Sequence, residues 1–315
     1  MALRLGTRGS ALALWQARRV AELIRAQPGA PAVELVEIRT EGDARTDVPL
    51  WQVGGRAFFT REIDRALIAA EVDLAVHSLK DLATTLEPGL ELSAVLERED
   101  PRDALLARSV DGLAALPRGA RVGTSSLRRR AFLKRARADL ELEELRGNVP
   151  TRIEKLAQGK YEAIILAVAG VKRLGLERHV TARLDPQAFP PAVSQGAIGV
   201  CTRSGDAAAA RWLRALNHGP THLATAAERA LLKTLEGGCQ VPLGALASSS
   251  GADLELHACV CSLDGTRSLD ARGTRRVRAL ADAIALGEEV AGQLLAQGAS
   301  NIIVKERQAR AVEAP

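Results

Sequence analysis

Apolar runs of strand length alternate with amphipathic stretches of helix length along the first two thirds of the chain, a pattern typical of α/β proteins. The run from Leu3 to Thr7 is predicted to be a strand, and Ser10 is placed to cap the helix that follows it. Pro28 and Gly29 are expected to end that helix. Its predicted core-facing stripe consists of Ala13, Ala17, Val20 and Ile24.

The same alternation predicts two α/β lobes. Further strands are predicted at Val33–Ile38, Leu92–Val95, Arg121–Gly123, Leu140–Leu145, Ala163–Ala169 and Gly199–Cys201, and helices at Phe59–Ala70, Ser126–Arg137 and Val149–Gln158. The segments 97–103 and 190–191 are interpreted as crossings between the lobes. Residues 1–98 with 192–217 are therefore assigned to the first lobe and 99–191 to the second. Two lobes joined in this way enclose a cleft, the usual place for a ligand. The polar segment 39–57 is predicted to be a functional loop, or lid.

One strand of the first lobe leads directly into chemically versatile residues. An apolar run that begins at Leu74 continues without interruption into His77, Ser78, Lys80 and Asp81. Ligands in open α/β sheets bind outside the carboxyl ends of such strands, so residues 77–81 are candidates for catalysis. The alternative is a strand end whose lysine and aspartate are simply solvated.

After residue 217 the pattern changes to that of a smaller α+β domain, assigned to residues 218–315. A helix is predicted at Thr221–Leu235 and a strand at Leu254–Cys261. The even-numbered residues of that strand form its apolar face. In the last predicted helix, Leu280, Ile284, Ala291 and Leu295 share one face.

Composition narrows the classes of function. The chain has 315 residues, 47% of them hydrophobic, and a formal net charge of +5, with arginine far more frequent than lysine. Arginine favours carboxylates and phosphates, although a GC-rich genome would also enrich it. Aromatic residues make up 3%, too few for the stacking surfaces of single-strand nucleic-acid binders, so no nucleic-acid partner is expected. No apolar run reaches membrane-spanning length and no signal peptide is apparent, so a cytoplasmic monomer is expected. Four scattered cysteines predict neither disulfides nor a metal site.

Arginines follow three successive strand ends in the second lobe, which favours a polyanionic ligand over chance. Glycine and small hydroxyl residues before a helix start make an anion site from free backbone N–H groups. Arg8 and Ser10 occupy a similar place in the first lobe. Each arginine alone is more often a surface ion pair than a ligand. The second-lobe candidates are Ser126, Arg128, Arg129, Arg146, Arg152, Lys172 and Arg173.

A series of motifs, quoted in chain order, resembles the hydroxymethylbilane synthase (porphobilinogen deaminase) family. The motifs are His77–Asp81, Glu99–Ala104, Gly123–Arg129, Leu145–Asn148, Ala163–Gly175 and Leu235–Pro242. The resemblance implies two lobes like those of periplasmic binding proteins, with mixed sheets, and a smaller C-terminal domain. It implies a dipyrromethane cofactor joined by a thioether to Cys239. It also implies head-to-tail condensation of four porphobilinogen molecules with release of ammonia, followed by hydrolytic release of the linear tetrapyrrole.

The resemblance also assigns roles to individual residues. Asp81, with Lys80, matches the catalytic position, where a fixed carboxylate stabilises the cation formed as ammonia leaves. The arginines match positions that bind acetate and propionate side chains, two on each pyrrole. Cofactor-binding positions are Cys239, Lys80, Asp81, Ser126, Arg128, Arg129 and Arg146. Substrate-binding positions are Arg8, Ser10, Phe59, Ser78, Arg146, Arg152, Arg173 and Gln195.

A few positions depart from the family pattern. In the lid, Arg56 stands where lysine is usual, and Ala57 replaces a glycine. Ala83 replaces a proline, and Ser194 stands where glycine is common. None of these changes removes a charge that the chemistry needs. The alternative that remains is a two-lobed protein that binds a small anion without catalysis, for which a cysteine presented by glycines, as at Cys239, would have no use.

Overall fold

The computed structural model describes residues 2–40, 60–235 and 241–304. The strands are β1 (Leu3–Thr7), β2 (Val33–Glu37), β3 (Leu74–Ser78), β4 (Leu90–Val95), β5 (Asp103–Ala107), β6 (Arg121–Gly123), β7 (Glu141–Glu143), β8 (Ala163–Ala167), β9 (Ala182–Arg183), β10 (Ile198–Arg203), β11 (Leu243–Ser250), β12 (Asp253–Cys261) and β13 (Ser268–Arg276). The helices are α1 (Ala11–Arg25), α2 (Arg61–Ile68), α3 (Leu127–Ala136), α4 (Val149–Ala157), α5 (Val168–Arg173), α6 (Ala207–Ala210), α7 (Gly219–Thr234) and α8 (Leu280–Ala296).

The first lobe is built on a mixed sheet with the strand order β2-β1-β3-β10-β4. Strand β1 runs parallel to β2 and β3, whereas β10 runs antiparallel to β3 and β4. Helix α1 begins at Ala11 because the Ser10 hydroxyl accepts a hydrogen bond from the Ala13 N–H group, as the sequence predicts. The predicted stripe of α1 is confirmed for Ala17, Val20 and Ile24, which are fully buried against the sheet.

The second lobe repeats this plan in the order β7-β6-β8-β5-β9. Strand β6 is parallel to β7 and β8, and β5 is antiparallel to β8 and β9. The predicted strand Ala163–Ala169 is too long, because the backbone turns into α5 at Val168. The two mixed sheets and the separate third sheet confirm the predicted α/β fold class.

The two crossings meet at the edge of the first sheet. The chain leaves β4 for β5 and returns to β10 through a connection that we call the strap, residues 190–197. Strand β10 lies between β3 and β4, so the first sheet is completed by residues that follow the second lobe. This arrangement places the carboxyl end of β3 beside the strap.

The C-terminal domain is an antiparallel sheet, β11-β12-β13, covered by α7 and α8. The sequence predicts only β12 of its three strands. Strand β11 ends in three exposed serines and β13 alternates with charged residues, so neither has the apolar run that marks β12. Strand pairing with β12, rather than local composition, makes both segments extended.

Both faces of β12 are buried. Leu254, Leu256, Ala258 and Val260 belong to the core of the C-terminal domain, as the alternation predicts. Cys259 and Cys261 on the other face belong to the core of the second lobe. Together with Cys201 they are free thiols, and burial raises the pKa of Cys201 and Cys259 to about 12.

The face that Leu280, Ile284, Ala291 and Leu295 share is not the buried side of α8. Leu280, Ile284 and Leu295 are 42%, 41% and 37% exposed, and of the predicted group only Ala291 is buried. The buried face consists of Ala283, Leu286, Gly287, Val290, Ala291 and Leu294. A Cβ atom at Gly287 would lie 2.2 Å from the carbonyl oxygen of Ala227 on α7, so this close approach determines the rotation of α8. Among the described residues, no helix has the length and apolarity that crossing a membrane requires.

Candidate active site

The carboxyl end of β3 is held rigidly. Residues Leu79–Asp81 form one 3₁₀ turn directly after the strand. Leu79 is fully buried, and its N–H group donates to the carbonyl oxygen of Ala197 in the strap (3.0 Å). Its side chain fits against Gly199, where a Cβ atom would lie 2.9 Å away. Lys80 and Asp81 therefore project from an anchored turn, which confirms that the apolar run delivers them to a strand end.

A cavity of about 70 Å³ lies in the first lobe at this strand end. Gln16 of α1 and Ser78 form its polar wall, with the Gln16 Nε2 atom 2.9 Å from the Ser78 hydroxyl. Sequence analysis missed Gln16, although a glutamine one position from the apolar stripe of α1 is a usable signal. The lining is Arg8, Ser10, Leu12, Ala13, Gln16, Thr60, Val76, His77, Ser78 and Asp81. It brings together four of the predicted site residues of the first lobe, namely Arg8, Ser10, Ser78 and Asp81, but not Lys80.

Lys80 is connected to the second lobe through Gln195 of the strap. The Lys80 Nζ atom donates to Gln195 Oε1 (3.3 Å), and Gln195 Nε2 donates to Asp103 Oδ1 (3.0 Å) and to the Pro101 carbonyl oxygen (2.8 Å). An ammonium group can only donate and an ionised carboxylate can only accept. The chemistry of its two neighbours therefore fixes the orientation of the Gln195 amide.

Asp103 is a fully buried carboxylate that pairs with two arginines of α3. Its Oδ2 atom accepts from Arg128 Nη2 and its Oδ1 atom from Arg129 Nη2, each at 2.7 Å. Burial alone would raise the pKa of Asp103, but the two guanidinium charges and the hydrogen bonds to Arg128 and Gln195 lower it to about 2. Sequence analysis included Asp103 in a motif but gave it no role.

Arg128 and Arg129 are thus more enclosed than the sequence suggests. Arg128 also donates to the Pro190 carbonyl oxygen (2.7 Å), and Arg129 to that of Ile165 (2.9 Å). The Nε–H group of Arg128 is buried without a hydrogen-bond partner, which leaves one donor available to an acceptor. Ser126 caps α3 by accepting from the Arg129 N–H group (3.4 Å), so the helix starts as predicted.

Arg152 of α4 lies close enough to Asp81 for the two charges to interact. Its Nε atom donates to the Gly147 carbonyl oxygen (2.7 Å). Burial lowers the pKa of Arg152 to about 10, and the like charges of Arg129 and Arg146 add to the effect, whereas the Asp81 charge opposes it. The structure therefore places Arg129, Arg146 and Asp81 within electrostatic reach of Arg152.

Arg173 contacts both the strap and the first lobe. It donates to the Gly196 carbonyl oxygen (2.6 Å), and its guanidinium carbon lies 5.7 Å from the centre of the Trp15 ring of α1. Burial lowers the pKa of Arg173 to about 10, partly offset by Glu99. The predicted substrate residue is therefore part of the contact between the lobes.

The charge of Lys80 depends on its burial and on the charged side chains around it. Removal of water lowers the pKa of Lys80 to about 8. Asp81 and Asp103 oppose that shift, while Arg129 and Arg128 add to it. The ammonium group therefore titrates close to neutral pH.

Three predicted site residues lie outside the described residues, namely Arg56, Phe59 and Cys239. Leu235 and Val241, on either side of the Cys239 segment, are both buried in the core of the C-terminal domain. Among residues 2–40, 60–235 and 241–304, no group of three or more histidine, cysteine or acidic side chains could hold a metal ion.

Comparison with known proteins decides the family. Residues 3–211 match the model described as porphobilinogen deaminase, dipyromethane cofactor binding domain, and residues 222–296 match the porphobilinogen deaminase C-terminal domain. The chain belongs to the porphobilinogen deaminase family. It is 47% identical over 301 residues to the porphobilinogen deaminase of Syntrophobacter fumaroxidans, covering 96% of each chain. It is 48% identical to that of Trichlorobacter lovleyi, covering 96% of this chain and 95% of the relative.

Two solved structures are similar to this porphobilinogen deaminase family member at low sequence identity. A putative methionine-binding lipoprotein of Bacillus subtilis is 14% identical, with a TM-score of 0.43, covering 69% of this chain and 90% of the other. A periplasmic substrate-binding protein of an ABC transporter from Coxiella burnetii is 15% identical, with a TM-score of 0.44. The match covers 72% of this chain and 96% of the other.

Proposed function

We propose that the protein is a hydroxymethylbilane synthase. It joins four porphobilinogen molecules head to tail, with release of ammonia, and hydrolyses off the linear tetrapyrrole. Membership of the porphobilinogen deaminase family supports the reaction. The observation that carries the proposal is the proximity of Lys80 and Asp81 of the first lobe to basic residues of the second: Lys80 is linked through Gln195 to the Asp103 carboxylate that pairs with two arginines of α3. This arrangement suits a substrate that combines a pyrrole that becomes cationic with two carboxylates.

Asp81 is the catalytic carboxylate in this proposal. Loss of ammonia from the aminomethyl group leaves positive charge on the substrate pyrrole, and a fixed negative charge stabilises it. The anchored 3₁₀ turn holds Asp81 at the edge of the cavity, so little reorganisation is needed when the charge develops. Its carboxylate also accepts a hydrogen bond from the pyrrole N–H group.

The basic residues bind the acetate and propionate side chains. Charge-assisted hydrogen bonds from guanidinium groups suit these carboxylates. Arg8, Ser10 and Ser78 serve the first-lobe cavity, together with Phe59. Arg146, Arg152 and Arg173 serve the second lobe and the strap, with Gln195 between the lobes. Arg56 acts from the lid segment.

The cleft also fits an anionic dipyrromethane. The unpaired Nε–H group of buried Arg128, and the arginines clustered about Arg152, are donors suited to its carboxylates. Cys239 would hold the group covalently, and Lys80, Asp81, Ser126, Arg128, Arg129 and Arg146 would orient it. When bound, the dipyrromethane supplies the pyrrole end to which the first substrate is joined.

The intact mass of the natively expressed protein tests the proposal. We expect an excess equal to two linked pyrrole units, lost in Cys239→Ser. A Cys261→Ser control, which alters a thiol in the core of the second lobe, should keep the excess. An unmodified mass that porphobilinogen does not change would favour the alternative, a two-lobed protein that binds a small anion.

We propose further that the enzyme is a cytoplasmic monomer with neither nucleic-acid nor membrane partners. Its domains in this proposal are residues 1–98 with 192–217, residues 99–191, and residues 218–315. Light scattering of the purified protein tests the monomer, and a mass twice that of the 33.4 kDa chain would contradict it.

A further inference from the structure

Asp103 has an arrangement that the proposed reaction does not by itself explain. It is the first residue of β5, fully buried, and its two oxygens accept from α3 and from the strap. Its Oδ1 atom accepts hydrogen bonds from Arg129 Nε (3.1 Å), Arg129 Nη2 (2.7 Å) and Gln195 Nε2 (3.0 Å). Its Oδ2 atom accepts a hydrogen bond from Arg128 Nη2 (2.7 Å). One carboxylate thus binds two adjacent guanidinium groups and the strap amide.

Without this carboxylate, three cations would lie together with little to balance them. Arg128, Arg129 and Lys80 influence one another electrostatically, and the carboxylates of Asp81 and Asp103 are the negative charges that act on Lys80. Asp103 is removed from the cleft surface, whereas Asp81 projects into the cavity. Asp103 can therefore balance the cations while Asp81 remains available to the pyrrole.

Gln195 extends the influence of Asp103 to the catalytic turn. Its amide donates to the carboxylate and accepts from the Lys80 ammonium group, a combination that neither a carboxylate nor an aliphatic side chain can provide. Asp103 therefore orients the amide, and the amide presents an oxygen acceptor to Lys80.

We propose that Asp103 is a positioning residue for the reaction: it fixes Arg128 and Arg129 side by side and, through Gln195, keeps the Lys80 ammonium group charged and directed at the cleft. This inference rests on the proposed function. It predicts that a change at a residue buried behind the cleft alters both the loading of the dipyrromethane and the titration of Lys80.

Asp103→Asn tests the inference, because it preserves shape and removes the charge. Three quantities are measured for the natively expressed protein: the fraction carrying the two-pyrrole mass, the pH dependence of porphobilinogen consumption, and the unfolding midpoint. We expect the loaded fraction to fall about tenfold or more, since small misplacements of binding groups cost that much. The decline of porphobilinogen consumption at high pH, which we call the alkaline limb, should move to lower pH by about half a unit to one unit. The reason is that Asp103→Asn removes a negative charge that favours the ammonium form of Lys80.

Glu228→Gln is the matched control. Glu228 is also a fully buried carboxylate paired with an arginine, Arg98. It belongs to α7 of the C-terminal domain and accepts from the Ser194 N–H group of the strap, whereas Asp103 pairs with Arg128 and Arg129 and binds the Gln195 amide. We expect Glu228→Gln to lose about as much stability as Asp103→Asn. The fraction of protein that carries the two-pyrrole mass and the decline of consumption at high pH should not change in Glu228→Gln. If Asp103→Asn behaves like Glu228→Gln, Asp103 is only structural and the inference is overturned.

Two further results separate the remaining cases. If the wild-type protein neither carries the two-pyrrole mass nor acquires it from porphobilinogen, the proposed function itself fails. If Asp103→Asn does not fold, Gln195→Leu decides, because it breaks the link to Lys80 and leaves both arginine pairs with Asp103 intact. An unchanged alkaline limb in Gln195→Leu would overturn the inference.

Discussion

Arg98 and Glu228 form a buried ion pair, with 2.6 Å between Arg98 Nη1 and Glu228 Oε1, that ties the start of the first crossing to the C-terminal domain. Glu228 also accepts from the backbone N–H groups of Ser194 in the strap (2.6 Å) and Ala247 in β11 (2.8 Å). One side chain thus joins the first crossing, the strap and β11.

Glu228→Gln should therefore destabilise the protein strongly. Removal of one partner of a buried pair leaves an uncompensated charge, which costs about 3–5 kcal/mol. Chemical denaturation measures the free energy of unfolding. A loss below about 1 kcal/mol, the value of an exposed pair, would show that Arg98 finds another partner.

Consumption of porphobilinogen should decline as the pH rises through about 8, the pKa of Lys80. The ammonium form exists below that pKa and is lost above it, so the alkaline side of the profile is the one affected. An arginine keeps its charge at high pH, so porphobilinogen consumption by Lys80→Arg should not decline above about pH 8, even if the variant is slower at every pH. If Lys80→Arg showed the same decline at high pH as the wild-type protein, the titrating group would be a residue other than Lys80.

Asp81→Ala should abolish turnover while leaving the fold intact. The side chain is partly exposed, and the turn that carries it is anchored by the hydrogen bond from the Leu79 N–H group to the Ala197 carbonyl oxygen, which the substitution leaves in place. We expect porphobilinogen consumption to fall at least about a hundredfold, as when one stabilising group of a developing charge is removed. Circular dichroism and the intact mass serve as controls, and an undiminished rate would contradict the assignment.

Ser194→Gly should stabilise the protein. Ser194 has φ = +63°, a conformation that costs a residue with a Cβ atom about 1–2 kcal/mol, and its buried hydroxyl has no hydrogen-bond partner. Ala70, with φ = +55°, is a matched control without a hydroxyl. We expect a higher melting temperature for both glycine variants and a larger gain for Ser194→Gly. A lower melting temperature for Ser194→Gly alone would mean that the hydroxyl packs favourably.

Gly287→Ala should destabilise the C-terminal domain, because the added methyl group would overlap the Ala227 carbonyl oxygen on α7. Gly292 lies on the exposed side of the same helix with no atom near its Cβ position. Gly292→Ala should therefore raise stability by about 0.5–1 kcal/mol through helix propensity. Thermal unfolding of both variants tests the pair, and the same sign for both would contradict the proposed helix contact.

The lobes and the catalytic strand end could be predicted because their signals are local. The apolar run of β3 stops where Ser78, Lys80 and Asp81 begin, and Ser10 and Ser126 cap helices at strand ends. These features depend on residues that are neighbours in the chain.

The role of Asp103 could not be predicted, because its partners lie 25, 26 and 92 residues away. An aspartate before an apolar strand resembles any solvated strand start. The buried side of α8 could not be predicted for a related reason. Its apolar residues surround much of the helix, and the contact of Gly287 with another helix selects the buried side.

The position of β10 has a consequence for how the protein acquires its shape during synthesis. The second sheet uses strands from one continuous stretch, residues 103–183, and can be completed as soon as that stretch has left the ribosome. The first sheet lacks the strand between β3 and β4 until residue 203 has been made. The sheet that carries Lys80 and Asp81 therefore cannot be completed until the second lobe has been synthesised. Of the two lobes, the first to begin synthesis is the second to complete its sheet.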